Sequence, residues 1–161
     1  MNPESSLSDR MPEPPCIVIH SLADARIVLD AATAAGDRPV LLLSAPDAAC
    51  FMGPAWWLAL MDAAGAGHIR AVPDLLDCGD AAGRAMQALR IGQKGLILDP
   101  ACPQYDAVLE RAIMAGADIR STRPAALDLA EHGAERLLHA WLTNTSAASP
   151  GPRRDKTRPV G

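Results

Sequence analysis

Pro39-Val40-Leu41-Leu42-Leu43-Ser44 and Gly95-Leu96-Ile97-Leu98-Asp99 decide the fold. Each is a continuous apolar run, too short for a helix, that stops on a polar residue. A strand that reads apolar at every position is buried on both faces, and the common way to bury both is a parallel sheet with helical cover. Cys16-Ile17-Val18-Ile19-His20 upstream has the same character. Asp74-Leu75-Leu76-Asp77 and Asp118-Ile119-Arg120-Ser121 are weaker versions, the last fitting a sheet edge.

Between the runs the period changes from continuous to helical. Ser21 is placed as an N-cap, with Leu22, Ala25, Leu29 and Ala32 at helical spacing before Gly36. Gly53-Pro54 opens a second helix, with Pro in its first turn and Trp57, Leu60, Met61 and Ala64 as its apolar stripe. Pro46 to Met52 reads as a loop. Asp80 is read as the cap of a third helix carrying Ala82, Ala85, Met86 and Leu89. Pro103 starts a fourth, with Tyr105, Val108, Leu109, Ala112 and Ile113, and Gly116 stops it. The last helix runs near Ala134 to Leu142 and is expected to bury Leu137, Leu138, Trp141 and Leu142.

The order is strand and helix alternating five times. It predicts an α/β domain over 16–143: a three-layer αβα sandwich around a mainly parallel sheet of about five strands, Rossmann-like or flavodoxin-like. The segment Gly83 to Asp99 (helix, Gly-containing turn, Leu-Ile-Leu-Asp) resembles units of aldolase-type barrels. That resemblance implies a partial barrel as the alternative. Residues 1–15 read as a flexible leader, and 144–161 as a Ser-, Pro- and Gly-rich basic tail.

Composition agrees and narrows the function classes. Of the 161 residues 49% are hydrophobic, yet 31 are Ala and aromatics are only 3%. Ala suits helices lying close on a sheet of Leu, Ile and Val. The net charge of −4 divides unevenly. Residues 16–143 carry 10 basic and 15 acidic side chains, whereas the tail holds Arg153, Arg154, Lys156 and Arg158 against Asp155. An acidic body argues against nucleic acid as the main partner. No apolar run reaches the about 20 residues of a membrane span. Four Cys are too few for a disulfide scaffold, and no basic, apolar signal segment opens the chain. The expected setting is cytoplasmic with reduced thiols.

Familiar catalytic motifs are missing. There is no phosphate-binding GxxxxGK[ST], no GxGxxG after the first strand, and no CxxC, HExxH or GxSxG. What remains is position. Ligands of open α/β sheets bind beyond the carboxyl ends of the strands, where helix N-termini also suit an anion. His20, Ser44, Asp77, Asp99 and Ser121 fall at that edge, with Asp47, Cys50, Cys78, Asp80 and Cys102 in the loops beyond. Asp77 and Asp99 form the sharpest pair. They could bind a divalent ion or share a proton, with His20 as base or ligand. The blander reading lets each carboxylate cap its own turn. The Cys residues are either buried and inert or thiolates activated by helix N-termini.

Trp56 and Trp57 cannot both face inward, since helical neighbours lie about 100° apart. One of them, or Trp141, would mark a ligand pocket or a subunit contact. Two function classes follow: a domain binding a small anionic or metal-linked molecule at the strand ends, or a non-catalytic interaction module that forms homo-oligomers.

Overall fold

The computed structural model describes residues 13–66 and 71–144. It is an α/β fold with one six-stranded, all-parallel sheet flanked by helices, the parallel-sheet α/β class that the sequence predicts. In chain order the elements are β1 (Cys16–Ile19), α1 (Leu22–Ala34), β2 (Leu41–Ser44), α2 (Ala48–Phe51), α3 (Pro54–Gly65) and β3 (Asp74–Asp77). There follow α4 (Ala82–Arg90), β4 (Gly95–Ile97), α5 (Tyr105–Ala115), β5 (Asp118–Arg120), β6 (Ala126–Asp128) and α6 (Ala134–Thr143). Residues 1–12, 67–70 and 145–161, with most of the expected leader and tail, lie outside the described residues.

Most local readings hold. Ser21 caps α1, its hydroxyl accepting the Asp24 N–H at 3.1 Å. Gly53 and Pro54 open α3, and Gly116 closes α5 in the left-handed conformation at φ 61°. Several need correction. The sheet has a sixth strand, β6, whose only large apolar residue is Leu127, too little for a pattern to show. The expected loop 46–52 contains a one-turn helix, α2. Asp80 is not a cap: α4 starts at Ala82 with Ala81 before it and no side-chain cap. Helix α5 starts at Tyr105, two residues after Pro103. Leu137 and Ile113 are exposed, at 57% and 69%, because α6 and α5 lie at the outside and turn those positions away from the sheet. Trp141 is half-buried, its indole N–H donating to the Cys16 carbonyl at 3.0 Å.

Strand order is β5-β4-β3-β2-β1-β6. The chain winds one way from β1 to β5, and right-handed crossovers in one direction put every helix on the same face. Accordingly the helices touch in the order of the strands they follow: α6 on α1, α1 on α3, α3 on α4, α4 on α5. Strand residues Ile17, Leu42, Leu76, Leu96 and Leu127 pack beneath them. Alternation sends Cys16, Val18, Leu41, Leu43, Leu75 and Ile97 to the other face, where they cluster with one another and, among the described residues, no helix joins them.

That second face is covered by curvature. β5 and β6 lie at opposite edges, five strand spacings apart, which would be roughly 24 Å in a flat sheet. Yet β5 ends at Arg120 and β6 begins at Ala126, and the connection between them spans at most roughly 20–22 Å fully extended. The sheet therefore curls toward its helix-free side, which brings in the feature of the barrel alternative, an arc with its last seam unpaired. Two side chains show where the connection runs. Arg120 ion-pairs with Glu13, ahead of β1, and Arg123 reaches the ends of β2 and β3.

Candidate functional site

The carboxyl edge of the sheet holds two separate groups of polar residues. The first is central. Asp77, at the end of β3, is buried at 4% exposure. One of its oxygens accepts the Gly79 N–H at 2.8 Å, and the other pairs with the Arg123 guanidinium. Arg123 also donates to the Ser44 carbonyl at 2.9 Å. The Ser44 hydroxyl accepts the Asp77 N–H at 2.9 Å and donates to the Ala45 carbonyl at 3.0 Å. Both Asp77 oxygens and the Ser44 hydroxyl are thus engaged by the protein itself.

Asp99 lies next door but apart. It is exposed, and its carboxylate accepts the Ala101 N–H at 2.8 Å, capping its own turn. Its N–H donates to the Gly79 carbonyl at 2.7 Å, so the turns after β3 and β4 are stitched through Gly79. The two aspartates are thus on neighbouring turns, each carboxylate bonded to different donors. Among the described residues no group of three or more His, Cys, Asp or Glu is placed to hold a metal ion.

Asp47 adopts a left-handed conformation, φ 56°, which Asp tolerates better than most residues. Its carboxylate leans over Gly79, itself at φ 55°, where an added Cβ would fall 1.9 Å from Asp47 Oδ1. Cys78 and Cys50 are the opposite of activated. Burial pushes Cys78 up to about 12, with the Asp77 charge adding to it. Burial and then Asp47 raise Cys50. Cys102 is buried, its sulfur near Gln104 Oε1 at 3.6 Å. Asp80 and Ser121 are exposed, and the Asp80 charge reaches no further into the expected group than Cys50, which it helps to raise.

The second group lies at β1 and β6. His20, just past β1, meets Asp128, the last residue of β6, at 2.7 Å between Nε2 and Oδ1. Asp128 Oδ1 also accepts the Ala130 N–H at 2.9 Å, which fixes the carboxylate. The His20 N–H donates to Asp24 Oδ2 at 2.9 Å, which anchors the backbone to the first turn of α1. His20 borders a cleft of about 230 Å³, lined also by Ile19, Pro46, Phe51, Met52 and Trp56. Trp57 is fully buried and Trp56 half-buried, so the pair divides between core and cleft as helical spacing requires.

Arg123 and Asp128 escaped the sequence reading. Asp128 carried a usable signal. Leu127-Asp128 repeats the Leu-Asp strand endings of Leu76-Asp77 and Leu98-Asp99. Arg123 carried less: only the following Pro, which holds it extended.

No protein-family model matches the chain, and no curated protein matches it in sequence. Among the described residues no helix is long and apolar enough to cross a membrane.

Proposed function

We propose that this chain is a small-molecule-binding α/β domain whose ligand seats in the cleft beyond β1 and β2, between His20 and Trp56. One observation carries the reading. Phe51 and Met52 stand 81% and 53% exposed at the lip of a concave, mostly apolar site. Apolar surface at a concavity with one convergent polar group is what a small-ligand site offers. The volume suits a compact ligand with an apolar body and a single polar end, smaller than a nucleotide cofactor. His20 is the side chain that would meet the polar end. Asp77 and Ser44 play the supporting part here, since their bonding capacity is spent on Arg123 and the backbone.

Fragment screening by amide NMR tests this. Binding fragments should shift the backbone signals of Ile19, His20, Met52 and Trp56, and Phe51→Asp should abolish those shifts without unfolding the chain. Hits that survive Phe51→Asp overturn the reading. Concentration-dependent shifts on α5, around the exposed Ile113 and Met114, in place of cleft hits would favour an interaction module that self-associates.

A further inference from the structure

His20 and Asp128 come from sequence positions far apart and meet because β6 pairs with β1. The contact orders the imidazole. A carboxylate only accepts, so Nε2 carries the proton shared with Asp128. That leaves Nδ1 as the nitrogen with a free lone pair, and among the described residues no group bonds to it. Asp128 is itself held by the Ala130 N–H. A base, an acid that orients it, and a backbone donor that orients the acid are the parts of a proton-accepting site.

We infer that His20, oriented by Asp128, is a proton acceptor for the ligand of the neighbouring cleft, and that this ligand is an apolar or aromatic molecule bearing a weakly acidic O–H, of the phenol class. The inference rests on the cleft being the ligand site. On binding, the ligand O–H bond breaks, its electron pair stays on oxygen, and the proton forms a bond to Nδ1. The imidazolium so formed faces the Asp128 carboxylate, with Asp24 as the second acid beside its backbone. Imidazole is suited to this exchange because one ring nitrogen can accept a proton while the other keeps its own. The apolar lining contributed by Ile19, Phe51 and Trp56 takes the ring.

The test uses 4-nitrophenol, whose neutral and ionised forms absorb at different wavelengths. Below the pH at which the free probe ionises, wild-type protein should raise the ionised fraction of the bound probe roughly twofold or more, as a favourable ion partner does. Asp128→Asn should lose that gain while cleft amide shifts persist. The ring nitrogen shifts of His20 should report the Nε2–H form in the free wild-type protein and a mixture of tautomers in Asp128→Asn. Probe bound in the cleft without a gain in ionisation overturns the proton acceptor and leaves the cleft standing. A probe that shifts no cleft residue overturns both. A mixed tautomer in the wild type overturns the role of Asp128.

Discussion

Asp77 and Asp128 both end a parallel strand at the carboxyl edge of one sheet, and each meets a basic side chain there. Their settings differ. The Asp77 carboxyl is 5% exposed and its partner Arg123 28%, with Ser44 and Gly79 taking the remaining bonds. The Asp128 and His20 side chains are 31% and 36% exposed, and one imidazole nitrogen has no partner among the described residues. A buried carboxylate with both oxygens engaged by the protein fixes structure. An exposed pair beside a concave apolar surface has capacity left for something else. Position at the strand ends therefore does not by itself distinguish the two carboxylates; their exposure and their partners do.

The largest expected effect follows from breaking the buried pair. Asp77→Ala leaves a partly buried guanidinium unpaired and removes the acceptor of Gly79. Loss of one partner of a buried ion pair costs about 3–5 kcal/mol, and the partial exposure of Arg123 lowers that to about 2–3 kcal/mol here. Arg123→Ala should fall in the same range, because it frees the connection that covers the curled face. Urea denaturation measures both. A cost under about 1 kcal/mol for either would show that the pair is as dispensable as a surface contact.

A second test asks how tightly the turns around Asp77 are packed. Gly79→Ala places a Cβ against the Asp47 carboxylate in a left-handed backbone, and should cost about 1–2 kcal/mol. Asp47→Gly relieves both the steric contact and the strain at its own φ. The double variant should therefore recover at least about 0.5 kcal/mol relative to additivity, as residues in contact do. Strict additivity would mean that the two turns move independently.

Much of the sheet was legible because its strands are continuous apolar runs, and buried parallel strands leave that mark. Ile17, Leu42, Leu76 and Leu96 could be placed in the core from pattern alone. β6 could not: three residues with one Leu fall below any periodicity, and the strand forms because β1 offers it a free edge. The curl was equally hidden, since it depends on the strand order and the shortness of 121–125 together. The site followed the same division. His20 was visible as a strand end, but its partner lies on the strand that pattern cannot find. Asp77 was visible too, while the guanidinium that occupies it comes from an irregular segment, where position follows from tertiary contacts.

At the opposite, amino edge, Asp74 provides a third acid for contrast. It accepts from the Trp57 indole at 2.8 Å and from the Gln93 amide, both neutral, and no cation joins them among the described residues. Desolvation raises its pKa above the ordinary 3.8 despite those two bonds. The folded state then holds this proton more tightly than the unfolded chain. Its contribution to stability is full below about pH 4 and is lost as pH rises through the folded value. Asp74→Asn keeps an acceptor for both donors and removes the charge. It should match or exceed the wild type in thermal stability at pH 7, with the advantage shrinking toward pH 4. A variant less stable than wild type at pH 7 would show that the charged form is favoured there.

The smallest expected effect is the most informative about Asp128. An exposed ion pair contributes about 0–1 kcal/mol, and the Ala130 N–H can turn to water when the carboxylate is lost. His20→Ala and Asp128→Asn should each stay within about 0.5 kcal/mol of wild type in the urea experiment that Asp77→Ala fails, because neither leaves a buried charge unpaired. The reasoning also runs in reverse. If His20→Ala cost as much as Asp77→Ala, the dyad would be a strut tying β6 to β1, and its free nitrogen would be incidental. A small cost leaves the geometry unexplained by stability. The 2.7 Å contact between two solvent-reachable groups, with the Ala130 N–H on Asp128 and Asp24 accepting the His20 N–H, is then what the proposed proton acceptor requires.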